Sequence, residues 1–186
     1  MKMLKKAPHI LVGLACLGLL GACSQGQTGA TQASPAQTQT SSQKADGKMA
    51  ADFTLTGVDG KTYKLSDYKG KKVYIKFWAS WCSICLASLQ DTDELAGAQG
   101  EDTVVLSVVS PNHNGEKSEE DFKKWYQSLD YKNLPVLVDP SGQLLKDYGV
   151  RSYPTGVFID REGHLVKTQP GFMEKEAIEK TLNDIK

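Results

Sequence analysis

A chain of 186 residues with 40% hydrophobic and 24% charged side chains has the composition of a soluble globular protein and length for one ordinary domain. Its 22 basic and 22 acidic side chains cancel overall, while Ala51 to Lys186 carries 17 basic and 21 acidic ones, a net charge of −4 with no basic cluster. That balance argues against a nucleic-acid partner and against electrostatic adhesion to an anionic bilayer.

The chain opens with MKMLKK, a basic stretch, followed by an apolar run from Ile10 to Leu20. This is the pattern of an export signal, and it falls short of the roughly 20 apolar residues that a membrane span needs. It ends at Leu20-Gly21-Ala22-Cys23, which resembles the bacterial lipobox. The resemblance implies removal of residues 1–22 and lipid attachment at Cys23. Cys16 is the poorer candidate, because Gly13 stands where a lipobox has a large aliphatic residue. From Ser24 to Ala50 the chain is mostly Gln, Thr, Ser, Ala and Gly with no aromatic residue, a composition that cannot bury a core. Residues 23–50 therefore read as a lipid-anchored tether with an r.m.s. span of roughly 30 Å. The folded domain is expected over residues 51–186.

Within that domain, DFTLTGVDGKTYKLSDYKGK alternates apolar and polar residues around a turn and predicts a hairpin. KKVYIKFWA is β-branched and aromatic on both faces, as in a buried strand. A helix is expected from Ser83 to about Leu95, with Leu86 and Leu89 on one face and Asp91 and Glu94 on the other. TVVLSVV reads as a second buried strand, SEEDFKKWYQSL as a helix capped by Ser118, PVLVD as a third strand and GQLLKDYGV as a short helix. TGVFIDREGHLVKT predicts a hairpin turning near Glu162-Gly163. EKEAIEKTLNDIK closes the chain as a helix with Ala177, Ile178, Leu182 and Ile185 inward. The order predicts an α/β fold, a central mixed sheet flanked by helices, with an amino-terminal β-hairpin extension.

The chemistry lies in FWASWCSICLASL. If Cys16 leaves with the signal and Cys23 takes lipid, only Cys82 and Cys85 remain, and each is the other's only partner. A disulfide across so short a loop removes little entropy from the unfolded chain, so a purely structural bridge is poorly motivated. A metal clip wants four ligands, yet there is no second CxxC, and His113 and His164 lack suitable spacing. CSICL also lacks the His of a haem-attachment motif. At a strand-to-helix junction Cys82 would face unpaired N–H groups that favour a thiolate. It is the expected nucleophile. Cys85, one turn into the helix, is the expected resolving thiol, and the reaction would be thiol–disulfide exchange with no cofactor beyond the Cys82–Cys85 disulfide.

FWASWCSIC, followed about 70 residues later by VRSYPT and preceded by DFTLTGVDGKTYKLSDYKGK, resembles the thioredoxin superfamily, in particular its TlpA/ResA-like branch of exported thiol-disulfide oxidoreductases. The resemblance implies a thioredoxin-like fold, a cis Tyr153-Pro154 bond with Pro154 against the dithiol and the preceding backbone free for a substrate strand, and Trp81 covering the site while Trp78 enters the core. Through SPNHNGEKSEEDFKKWYQSLDYKNLPVLVDPSG the chain is also similar to the thioredoxin-like lipoproteins and domains that supply electrons to extracytoplasmic methionine sulfoxide reductases. That implies a methionine sulfoxide reductase as electron acceptor, a CcdA/DsbD-like membrane thiol-electron transporter as donor, attachment to the outer face of the cell membrane through lipid, and a monomer.

The chain departs from the family at two points. Lys76 stands where thioredoxins proper have a buried Asp six residues before the first cysteine. It either assists proton transfer at the dithiol or extends its ammonium to the sheet edge with only its stem buried. Ser83 and Ile84 replace the residues common between the cysteines, so no redox potential carries over. Two further readings stay open, a ResA-like reductase in cytochrome c maturation and a copper-binding thioredoxin-like module. Residues 112–120 are either a partner-docking loop or a long connection.

Overall fold

The computed structural model describes residues 47–186. The segment expected as signal, Cys23 and most of the expected tether lie outside the described residues. Among the described residues no helix is long and apolar enough to cross a membrane.

The strand that leads to the cysteines is also the centre of the sheet. β3 (Lys72–Phe77) pairs in parallel with β4 (Thr103–Val109), and antiparallel with β6 (Thr155–Ile159) on its other side. Flanked by strands on both edges and covered on both faces, it accounts for the β-branched and aromatic residues that the sequence places on both faces. β1 (Thr54–Gly57) and β2 (Thr62–Lys64) form the amino-terminal hairpin, β5 (Val136–Val138) joins it to β4, and β7 (Leu165–Pro170) closes the other edge. The resulting seven-stranded mixed sheet has the order β2-β1-β5-β4-β3-β6-β7. Lys48 and Ala50 continue beyond β7, where Leu165 N–H donates to Lys48 O and Ala50 N–H to Gly163 O.

Strand alternation sends Val73, Ile75 and Phe77 to one face and Tyr74, Lys76 and Trp78 to the other. On the first face they meet Phe53, Leu65, Leu106, Leu137 and α4 (Gln143–Asp147). The second face is covered by α1 (Ser83–Ala87), α2 (Leu89–Ala98), α3 (Glu119–Tyr126) and α5 (Lys175–Asp184), through Cys85, Leu89, Leu95, Phe122, Tyr126, Ile178 and Leu182. α3 starts as its sequence predicts, with the Ser118 hydroxyl accepting from Asp121 N–H and acidic residues in the first turn.

Two expectations are corrected. The single helix expected from Ser83 to Leu95 breaks at Ser88 into α1 and α2. The Ser88 hydroxyl bonds back to Ile84 O and Cys85 O, a local competition that bends a helix, while Ser88 O keeps its bond from Thr92 N–H and also accepts from the Lys76 ammonium. Ala177, expected inward, is exposed on the first turn of α5, while Ile178, Leu182 and Ile185 carry the packing.

Candidate dithiol site

Cys82 ends the segment that leaves β3 and begins α1. Its N–H donates to Ala79 O at 3.1 Å, its backbone is extended as an N-cap requires, and its sulfur accepts from Cys85 N–H at 3.3 Å. Cys85 follows one turn later, and the two are joined by a disulfide with Cα atoms 5.2 Å apart. Both cysteines are buried in the disulfide, Cys85 completely and Cys82 with 6% of its residue surface left exposed. Trp81 and Ile84, both exposed, border them; Phe172 and Met49 are the other exposed large apolar residues among the described residues.

The second half of the site comes from the segment before β6. Phe77 pairs with Thr155, so Tyr153 and Pro154 lie at the same end of the sheet as the cysteines. The Tyr153-Pro154 bond is cis, as the resemblance implies. Trp81 meets Tyr153 edge to face with ring centroids 5.9 Å apart. Burial, chiefly, raises the Tyr153 phenol above its ordinary range, so it stays a neutral hydrogen-bonding group.

Lys76 is only 3% exposed and does not reach the sheet edge. Its ammonium is held by Ser88 O at 3.1 Å, Ser88 Oγ at 2.9 Å and Thr92 Oγ1 at 2.9 Å, all neutral acceptors. Desolvation lowers its pKa to about 8, only partly opposed by the charge of Asp91. Ser88 Oγ bonds Cys85 O at 3.1 Å, so the ammonium is one hydroxyl removed from the backbone of the inner cysteine.

Sequence reasoning missed the third wall. Residues 112–117 fold back over the site, with Asn112 and Asn114 at left-handed φ of 62° and 51°. Asn114 donates to the Tyr153 hydroxyl at 3.3 Å, and Gly115 lies beside the Trp81 indole nitrogen. His113 Nε2 pairs with Pro140 O at 3.0 Å, its ring resting on Gly142, where a Cβ would come within 2.7 Å. Glu116 is buried and binds both the backbone N–H and the hydroxyl of Ser80. A polar stretch of Asn, Gly, Glu and Lys gives no periodicity from which such contacts could be read. Two cavities of about 210 and 370 Å³ lie around Met49, and no cysteine lines either. The Asp160, Glu162 and His164 cluster lies at the β6–β7 turn, also away from the thiols.

The Redoxin family model matches residues 44–185. The chain is 34% identical over 145 residues to the thiol-disulfide oxidoreductase ResA of Geobacillus thermodenitrificans, an alignment covering 76% of this chain and 79% of ResA. Among solved structures, the pneumococcal exposed lipoprotein thioredoxin Etrx1 of Streptococcus pneumoniae is 76% identical, with a TM-score of 0.72 over 73% of this chain and 100% of that one. The N-terminal domain of PilB from Neisseria gonorrhoeae is 29% identical, with a TM-score of 0.64 over 70% and 87% of the two chains. The disulfide at the end of β3, the cis proline beside it and these similarities converge, and the chain belongs to the Redoxin family as a thiol-disulfide oxidoreductase of the ResA/TlpA-like group.

Proposed function

We propose that the protein works as a reductase on the outer face of the cell membrane, anchored by lipid at Cys23, with residues 1–22 as signal, 23–50 as tether and 51–186 as the working domain. The observation that carries the catalytic part is a disulfide at one strand end, beside a cis proline, in which Cys82 is the N-cap of α1 and Cys85 is the more deeply buried residue. Cys82, the accessible thiol at the start of α1, attacks one sulfur of an acceptor disulfide. A Cys82–acceptor disulfide forms and the other acceptor sulfur leaves as a thiolate. The buried Cys85 thiolate then attacks the Cys82 sulfur, releasing the second acceptor thiol and closing the Cys82–Cys85 disulfide. Two electrons and two protons reach the acceptor. Trp81, Tyr153 and Pro154 form the surface against which the acceptor docks, and Lys76 serves the inner thiol.

For the acceptor we propose an oxidised methionine sulfoxide reductase, which closes a disulfide in its own turnover and needs a thiol reductant outside the cytosol. A membrane thiol-electron transporter would return the electrons to Cys82–Cys85. The similarity to an exposed lipoprotein thioredoxin supports the surface placement. The test is a Cys85→Ser chain in the native host, in which mixed disulfides on Cys82 cannot resolve. Recovery of a methionine sulfoxide reductase covalently on Cys82 is expected. Its absence from the captured proteins would remove the acceptor assignment, and capture of an apocytochrome in its place would move the function to cytochrome c maturation. Cys23→Ala should release the protein from the membrane fraction.

A further inference from the structure

Three carboxylates are buried among the described residues, and two of them serve backbone N–H groups of the segments on either side of β5. Asp93 accepts from the N–H groups of Lys132, Asn133 and Leu134, and Asp139 from those of Ser141 and Leu144. Glu116, at 7% exposure, is bonded instead to the segment that delivers the cysteines. One carboxylate oxygen accepts from Ser80 N–H, and the other from Ser80 Oγ at 2.6 Å and from Lys117 N–H at 2.7 Å.

The same serine hydroxyl accepts from the Lys117 ammonium at 2.7 Å, so cation, hydroxyl and carboxylate form one chain centred on Ser80. The Lys117 ammonium also lies 5.3 Å from the centre of the Trp125 ring, which fixes it on the protein rather than in solvent. Ser80 is two residues before Cys82, within the turn closed by the Cys82 N–H to Ala79 O bond. Whatever holds Ser80 therefore sets where the Cys82 sulfur sits.

We propose that Glu116 and Lys117, acting through Ser80, are positioning residues for Cys82, with Glu116 clamping the turn and the opposed charges balancing the field at the sulfur. This rests on Cys82 being the attacking thiol. A carboxylate alone so close would disfavour the thiolate and an ammonium alone would favour it, so the two contributions oppose each other. The other charged or titratable groups around the site come from several elements. They are Tyr153 from the cis-proline segment, Asp139 at the end of β5, His113 in the same loop, Lys76 from β3 and Asp91 from α2. All of them stay in place in the variants below.

The test is the pH dependence of iodoacetamide alkylation in the reduced full chain, with the labelled cysteine assigned by peptide mapping and folding checked by thermal melting. Glu116→Gln should lower the pH midpoint for Cys82 by about half a unit or more, and Lys117→Met should raise it by a similar amount. The double variant should return close to the unsubstituted protein. Midpoints that do not move, or that move in the same direction, overturn the proposal, because a clamp without an electrostatic role predicts no opposition between the two. Should Glu116→Gln fail to fold, Lys117→Met decides alone, and no upward shift overturns it. Mapping that finds Cys85 alkylated before Cys82 in the unsubstituted chain would instead remove the attacking-thiol reading on which this stands.

Discussion

The Lys76 ammonium lies 2.9 Å from Ser88 Oγ and 3.1 Å from Ser88 O, at the break between α1 and α2. One buried side chain thus ties β3 to the junction of the two helices that follow the cysteines, through Ser88 and Thr92. A lysine whose pKa is lowered to about 8 by desolvation changes charge close to physiological pH, where thiol exchange operates. Lys76→Met should therefore remove an inflection near pH 8 from the pH-rate profile of disulfide reduction, most visibly in the step that resolves the mixed disulfide. Stopped-flow resolution of that step from pH 6 to 10 would decide it. A profile that keeps the inflection assigns it to another group and retires a protonic role for Lys76.

The same group makes stability depend on pH. The unfolded lysine titrates near 10.5 and the folded one near 8, so between those values the unfolded chain binds the extra proton and stability rises with pH. Below pH 8 both states are charged and the folded state carries the full cost of the buried ammonium, about 3 kcal/mol at 1.36 kcal/mol per pKa unit. Lys76→Met removes that dependence. Its denaturation free energy relative to the unsubstituted protein should be more favourable at pH 7 than at pH 10. Urea melts at the two pH values measure the difference.

Trp81 is 54% exposed and its main partner is the edge of Tyr153. Such a residue contributes to binding much more than to folding. Trp81→Ala should lower kcat/KM for a protein disulfide by about tenfold, carried mostly by KM, while global stability changes by less than about 1 kcal/mol. Steady-state reduction of insulin alongside thermal melts would separate the two. A large stability loss with unchanged KM would instead make Trp81 a packing residue.

Much of this architecture is written in local patterns. β3 and β4 are rich in β-branched, aromatic and aliphatic residues on both faces, the Ser118 cap and its acidic first turn mark the start of α3, and a CxxC pair shortly after a buried strand locates the dithiol. The cis bond at Pro154 was legible only through family resemblance, since local chemistry also allows trans. The break at Ser88 was not legible, because a serine inside an apolar-periodic helix pattern reads as an ordinary helical residue until its hydroxyl is seen bonding back to Ile84 O and Cys85 O. Glu116 was hidden by its distance from its partner. Its partner Ser80 is 36 residues away, and a Glu beside a Lys in a polar loop reads as solvated until tertiary structure buries it. Lys76 shows the intermediate case, where the sequence posed the choice between burial and snorkelling and the fold decided it.

Asp93 is the clearest residue whose importance rests on long-range contacts alone. It sits in α2 at 6% exposure, and its carboxylate receives three consecutive backbone N–H groups, from Lys132, Asn133 and Leu134, at 2.9 to 3.1 Å. The Asn133 amide adds a fourth bond to its other oxygen at 3.0 Å. These bonds tie the loop leading into β5 to α2, the helix that follows the thiol-bearing α1, and no other side chain takes up those N–H groups. Asp93→Ala leaves several buried donors unpaired and should cost about 2 to 4 kcal/mol, with a fall in urea midpoint at unchanged m-value. Asp93→Asn keeps one accepting oxygen and should cost less. Because the dithiol is reached only through α2, the reduction rate of folded Asp93→Ala should remain within a few-fold of the unsubstituted protein, so a loss of activity larger than the loss of folded fraction would place Asp93 in the catalytic machinery.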